Sequence, residues 1–258
     1  MSAPDFEAVR DLVKSASGIH LHQGKVALVS SRLERLVRAH GFHSFTDYVR
    51  FLSGRQHGPE FTEFIDTLTT NHSGFWREPE HFILLSNTVF REHRSRTRIW
   101  SAACATGEEP YTIAMCALAV GACNCTITAT DISTAALQTA REGSYESSRL
   151  TSLPAGWRDR FFAQNSASAK GCVSSQVRNM VNFRPLNLLQ PFQQMGQFDV
   201  IFCRNVMIYF EQPTREALVS RLVSQLIPGG FLFTGHSETL LQIPPGLTYV
   251  QPATYRKL

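Results

Sequence analysis

The stretch from Arg98 to Asp131, RIWSAACATGEEPYTIAMCALAVGACNCTITATD, narrows the choice of folds more than any other part of the chain. An apolar run breaks at Ala105-Thr106-Gly107, resumes as an apolar stripe from Glu108 to Gly121, and gives way to a second β-branched run that stops at Asp131. The pattern predicts strand, tight turn, helix and strand, the βαβ unit of a parallel sheet. Pro110 suits the first helical turn, where its missing N–H would have had no partner, and acids at Glu108 and Glu109 favour the positive end of the helix dipole. Gly121 supplies the stop. An acidic residue that ends the second strand about 20 residues past the turn matches nucleoside sites, where the carboxylate accepts both ribose hydroxyls. Asp131 is the candidate for that role.

The turn also selects among nucleosides. A pyrophosphate needs several backbone N–H groups from a Gly-rich turn, whereas Gly107 stands alone here and is followed by two acids that repel phosphate. S-adenosylmethionine carries a ribose, a positive sulfonium and an amino-acid tail, so carboxylates at Glu108 and Asp131 fit it on charge grounds. Taken alone, Glu108 and Glu109 read equally well as an ordinary helix start.

A chain of 258 residues, 43% of them hydrophobic, holds one large domain or a small one joined to a medium one. Its formal charge of +4 lacks the dense basic stripes of a nucleic-acid binder. Six cysteines show neither paired metal spacing nor a disulfide framework, which predicts reduced thiols in a cytoplasmic protein. No metal is expected. The N-terminus lacks a signal-peptide core and no apolar run reaches membrane-spanning length. The expected protein is intracellular, not inserted in a membrane, and monomeric.

Along the chain, Phe6, Val9 and Val13, then Val26 to Val37, then Phe45 to Leu52, then Phe61 to Leu68 form successive helical stripes. They predict an all-helical domain over residues 1–70, whose second helix carries Arg32, Arg35 and Arg38 along one side, a solvated face or a docking surface for an acidic helix. A polar and aromatic junction, TTNHSGFWREPEHF, and a helix from Pro79 to His93 occupy 71–97. An α/β domain spans 98–258, with Ser133 capping a helix that stops at Gly143 and a possible β-hairpin excursion at 161–183. FDVIFCR reads as a buried strand, PTREALVSRLVSQL as a helix reaching Leu226, Pro228-Gly229-Gly230 as its terminator, and LTYVQPATYRKL as edge strands.

Four blocks, TNHSGFWRE, SAACATGEEPYTIAM, ATDIS and FDVIFCRNVMIYF with the downstream PGGFLFTGHSE, together resemble the chemoreceptor methyltransferase family, CheR. The resemblance covers nearly the whole chain. It implies an α/β, Rossmann-like S-adenosylmethionine-dependent methyltransferase domain behind the small all-helical N-terminal domain, and protein-glutamate O-methylation on the cytoplasmic helical bundle of a chemoreceptor. By resemblance, Asn71, Ser73, Arg77, Glu108 and Asp131 line the cofactor pocket, Asn187 and Leu188 meet the adenine end, and Arg204 and Asn205 lie over the cofactor. Arg77 and Tyr209 face the reacting groups. Ser73 stands where the family has Thr and Trp76 where it has Phe; the hydroxyl is kept. In some members a small β-subdomain, here falling near 161–183, grips a tethering peptide on the receptor.

Each residue alone has a blander reading: Tyr209 as a core aromatic, Arg77 in a surface pair with Glu78 or Glu80, and His72, His81 and His236 as structural. The joint pattern overrides these. Two rivals stay open at this level, a methyltransferase acting on an amine or RNA and a catalytically idle S-adenosylmethionine-binding scaffold. The block CRNVMIY, which is not the Asn/Asp-Pro-Pro-aromatic loop associated with amino-group methylation, speaks against the first. Retention of Arg77 and Tyr209 speaks against the second.

Overall fold

The computed structural model describes the chain apart from residues 56–57, 70, 93–95 and 165–168. It opens with α1 (Ala3–Ser17), α2 (Val26–Ala39), α3 (Phe45–Ser53) and α4 (Pro59–Leu68). Ser2 and Asp5 cap α1 reciprocally, each side chain accepting from the other's backbone amide, and Gly18 ends the helix in the left-handed region at φ 75°. The four stripes meet in one core around Phe6, Val9, Leu33, Tyr48, Leu52 and Phe64. Leu28 departs from its stripe at 46% exposed, because it borders a groove beside Tyr209.

The continuous helix expected to reach His93 is observed as α5 (Pro79–Leu84), a π-helical turn (Leu85–Val89) and α6 (Phe90–Glu92), with His93 outside the described residues. Then follow β1 (Thr97–Ala102), α7 (Glu108–Ala119), β2 (Cys125–Asp131) and α8 (Thr134–Glu142), which is capped by Ser133 and stopped by Gly143 at φ 61°. The middle of the chain gives β3 (Ser144–Glu146), α9 (Trp157–Phe161), β4 (Phe162–Gln164), β5 (Lys170–Val173), α10 (Ser175–Arg178) and β6 (Val181–Pro185). The remainder is β7 (Phe198–Cys203), α11 (Gln212–Ser224), β8 (Leu226–Thr234), β9 (Leu247–Gln251) and β10 (Thr254–Lys257).

Seven strands form the main sheet in the order β6-β2-β1-β7-β8-β10-β9, parallel from β6 to β8 and closed by the antiparallel β9–β10 hairpin. Side chains alternate across it: Ile99, Ile127, Val200, Phe202 and Phe233 pack with α7 on one face, Trp100, Ile201, Cys203 and Leu232 with α11 on the other. Strand order runs outward in both directions from the β1–β7 boundary, and such a switch point leaves a crevice at the carboxyl ends of the strands.

Two expectations about the second half are corrected. The helix expected to include Leu226 ends at Ser224, because the Gln225 carbonyl accepts from the Phe198 amide at 2.8 Å and Leu226 pairs with Phe198 as the first residue of β8. Pro228-Gly229-Gly230 is therefore an irregularity inside the strand, where a Cβ on Gly230 would lie 2.9 Å from the carbonyl oxygens of Asp199 and Ile227. The excursion contains the hairpin β4–β5, but a third strand, β3, joins it from outside the expected bounds of 161–183. Val181, Asn182 and Phe183, at the end of the expected excursion, belong instead to β6 at the edge of the main sheet. Residues 165–168, on which the tethering expectation partly falls, lie outside the described residues. Among the described residues no helix is long and apolar enough to cross a membrane.

Gly107, just before α7, has φ 94°, and a Cβ there would lie 2.8 Å from the Ala140 Cβ. Both strain and overlap oppose a side chain, so Gly107→Ala is expected to lower unfolding free energy by about 1–3 kcal/mol, measured by urea denaturation.

Candidate active site

A cavity of about 910 Å³, counted with its open mouth, occupies the switch-point crevice. Its floor is the turn after β1 (Ala103, Cys104, Ala105), its roof the junction segment 71–77, and its far wall Ser17 and Ile19 of the helical domain. Nine of the ten residues singled out from sequence line it: Asn71, Ser73, Arg77, Asp131, Asn187, Leu188, Arg204, Asn205 and Tyr209.

Glu108 is the exception. Its side chain is fully buried on the other side of the turn, paired with Arg149 and accepting from Thr106 Oγ1 at 2.7 Å. Its neighbour Glu109 lines the cavity instead. Successive helical residues point about 100° apart, so a single acid of the pair can face the strand ends, and the spacing alone did not say which.

Asp131 is 6% exposed at the end of β2. Its Oδ2 accepts from the Ala105 amide and its Oδ1 from the Ser133 amide, both at 2.8 Å, which fixes the carboxylate and leaves lone pairs for a ligand. Burial raises its pKa, and these amides pull the other way. Asn187 donates to the Ala16 carbonyl at 2.6 Å and accepts from the Leu189 amide, which ties the segment after β6 to the helical domain.

Arg204 joins the roof to the floor. Its side chain is 2% exposed, and it donates to Glu78 Oε2 and Glu109 Oε2 at 3.0 Å each and to the Arg77 carbonyl. Burial acts to raise the Glu78 carboxyl, but the Arg204 charge and the Arg204 and Asn205 hydrogen bonds hold it below its ordinary value. At Glu109 desolvation outweighs the Arg204 charge and the Ser101 and Arg204 hydrogen bonds and moves the carboxyl upward. Glu78 thus pairs with Arg204 and not with Arg77, as its surface reading had it.

Arg77 therefore keeps its charge available. Its guanidinium donates to the His72 carbonyl at 3.1 Å, and among the described residues it makes no ion pair. Tyr209 ends the short 3₁₀ turn Met207–Tyr209, where the cavity meets the groove bordered by Lys25, Leu28 and Arg32. Arg32 itself donates to the Leu68 and Thr69 carbonyls at the end of α4, while Arg35 is exposed and Arg38 pairs with Glu34.

Left-handed backbone concentrates around this cavity, at Trp76, Glu78, Ala103, Ala105 and Asn205. Strain of this kind persists where surrounding bonds over-determine it, and here the Arg204 and Asp131 contacts do so. The structure also brings Glu78, His81 and His236 within 4.8 Å, a grouping that sequence spacing had not shown. Its Glu78 oxygen is already held by Arg204, a permanent cation, whose charge opposes a metal there.

Family models match both parts of the chain: the CheR methyltransferase all-alpha domain over residues 4–69 and the CheR methyltransferase SAM binding domain over residues 71–255. The chain belongs to the CheR methyltransferase family. Proteins named chemotaxis protein methyltransferase from Klebsiella aerogenes and Escherichia coli are each 40% identical to it, over 94% and 92% of this chain and 86% and 85% of their own lengths. Chemotaxis protein methyltransferase 2 of Pseudomonas aeruginosa is 42% identical over 92% of this chain and 87% of its own. Among solved structures, the plantazolicin methyltransferase BpumL in complex with SAH aligns at a TM-score of 0.38 and 12% identity, over 90% of this chain and 62% of its own.

The cavity residues fit the CheR cofactor, S-adenosylmethionine. Asp131 would offer a fixed carboxylate to ribose hydroxyls, and Leu188 and Ile132 an apolar flank to adenine. Asp131→Ala is expected to weaken S-adenosylhomocysteine binding by roughly 10- to 100-fold, through about 1–3 kcal/mol of lost charge-assisted hydrogen bonding. Glu108→Gln is expected to leave that affinity within about threefold and to lower stability instead, since it breaks the ion pair that compensates the buried Glu108 carboxylate. Calorimetric titration of both variants reads the contrast.

Proposed function

We propose that the protein transfers a methyl group from S-adenosylmethionine to glutamate side chains on the cytoplasmic helical bundle of a chemoreceptor, giving glutamate methyl esters, with Arg77 and Tyr209 as the orienting groups. The observation that carries the reading is that Arg77, which among the described residues makes no ion pair, and Tyr209 line one cavity that also holds Asp131. The relatives' chemotaxis names supply the substrate class.

Bound S-adenosylmethionine supplies an electrophilic methyl group whose carbon–sulfur bond breaks to leave a neutral thioether. A glutamate with an ordinary pKa of about 4.3 is already ionised at neutral pH, so no residue has to remove a proton. Arg77 holds one carboxylate oxygen by its planar fork, and the Tyr209 hydroxyl donates one further hydrogen bond, which leaves a lone pair of the other oxygen free to attack. Alignment of this kind can supply about 7–11 kcal/mol of the barrier. Tyr209 lies at the opening towards α2, which suits a side chain arriving from outside. All six cysteines are free thiols, in keeping with a reducing cytoplasm.

Methyl-tritiated cofactor incubated with receptor cytoplasmic fragments is expected to give label that alkali releases as volatile methanol. Tyr209→Phe and Arg77→Ala are each expected to reduce that label roughly 10- to 1,000-fold. Alkali-stable label would favour the amine or RNA reading, and cofactor binding without label the scaffold reading.

A further inference from the structure

Glu238 is a deeply buried carboxylate to which the proposed chemistry gives no part. It lies 1% exposed in the short turn His236–Glu238 after β8, and among the described residues it makes no ion pair. Three backbone amides hold it instead. Its Oε2 accepts from Asn205 and Gly235 at 2.7 Å each, and its Oε1 accepts from Ile208 at 3.1 Å. A buried charge without a cation persists where several N–H groups point at it, so this carboxylate shapes the backbone around it.

Two of the three donors bracket the turn that carries Asn205 and Tyr209. Asn205 takes the left-handed conformation at φ 60°, and Ile208, the residue before Tyr209, is 43% exposed and has little packing of its own. Gly235 lets the carboxylate approach: a Cβ there would lie 2.6 Å from Asn205 Nδ2 and 2.7 Å from Glu238 Oε2. The end of β8 thus sets the shape of the loop that leaves its neighbour β7.

We propose that Glu238 is a positioning residue for methyl transfer, fixing the 205–209 turn so that the Tyr209 hydroxyl meets the target carboxylate. The inference rests on the role given to Tyr209 above. Glu238 touches no reacting atom and acts through that turn.

A double-mutant cycle with Tyr209→Phe tests it, using Glu238→Gln in the full chain, alkali-labile methylation of receptor fragments as the rate, and calorimetric S-adenosylhomocysteine affinity as a check on the pocket. Glutamine keeps one acceptor but turns an NH₂ towards one of the amides, so the turn loses an anchor while the volume is unchanged. Glu238→Gln is expected to lower kcat roughly 10- to 100-fold, to change cofactor affinity by less than about threefold, and to have little further effect once Tyr209 is Phe. An equal factor in both backgrounds would show a general structural role and overturn the proposal, as would a wild-type rate for the single variant. If Glu238→Gln does not fold, Glu238→Asp, which keeps the charge on a shorter arm, is put through the same cycle with the same expectation. Absence of alkali-labile label from the wild type would count against glutamate methylation itself, and unchanged label in Tyr209→Phe against the role of Tyr209; failure of the cycle alone counts against Glu238.

Discussion

Arg204 carries a permanent charge at the end of β7 with almost no exposure to solvent. Such a group survives burial when counter-charges and acceptors satisfy it, and here Glu78, Glu109 and the Arg77 carbonyl do so together. Those partners come from the junction segment and from the first turn of α7. One cation therefore fixes the distance between the roof of the cavity and its floor, and the cavity is the space left between them.

A second arginine repeats the arrangement on the other side of the turn. Arg149 pairs with Glu108 and also donates to the Ser73 carbonyl, so each acid of the Glu108-Glu109 pair has its own arginine and each arginine holds one end of the roof. Phe75 and Trp76, between those ends, pack against Tyr145, Phe82 and Trp157. Apolar burial supplies most of the adhesion, and the charge pairs supply register. The helical domain completes the enclosure through the Asn187 bond to the Ala16 carbonyl and the His20 amide bond to the Tyr209 carbonyl, so the cavity is a joint product of both parts of the chain.

With Glu78 and Glu109 committed to Arg204, the charges left for ligands are Asp131 and Arg77. They suit opposite ends of the chemistry, a ribose at one and an anionic tail or target carboxylate at the other. The proposed methylation of a carboxylate would ask for little more: the nucleophile arrives ionised, and the site would contribute alignment.

Sequence by itself determined the parallel α/β domain, the four-helix start, Asp131 at the end of β2 and eight more of the cavity's residues. The fold and Asp131 were legible because βαβ patterning, capping residues and glycine turns are local effects; the eight other residues followed from the resemblance to the CheR family. It misassigned Leu226, left β3 outside the excursion and chose Glu108 over Glu109. Each of these depends on a partner distant in the chain: Phe198 for Leu226, β5 for β3, and the opposed arginines Arg149 and Arg204 for the two acids. Glu78 and Glu238, which hold the walls of the cavity, end two of the quoted blocks, TNHSGFWRE and PGGFLFTGHSE, but nothing local in those blocks says what they bind. Only the tertiary structure decided their roles, because a buried carboxylate takes its function from the donors that folding brings to it.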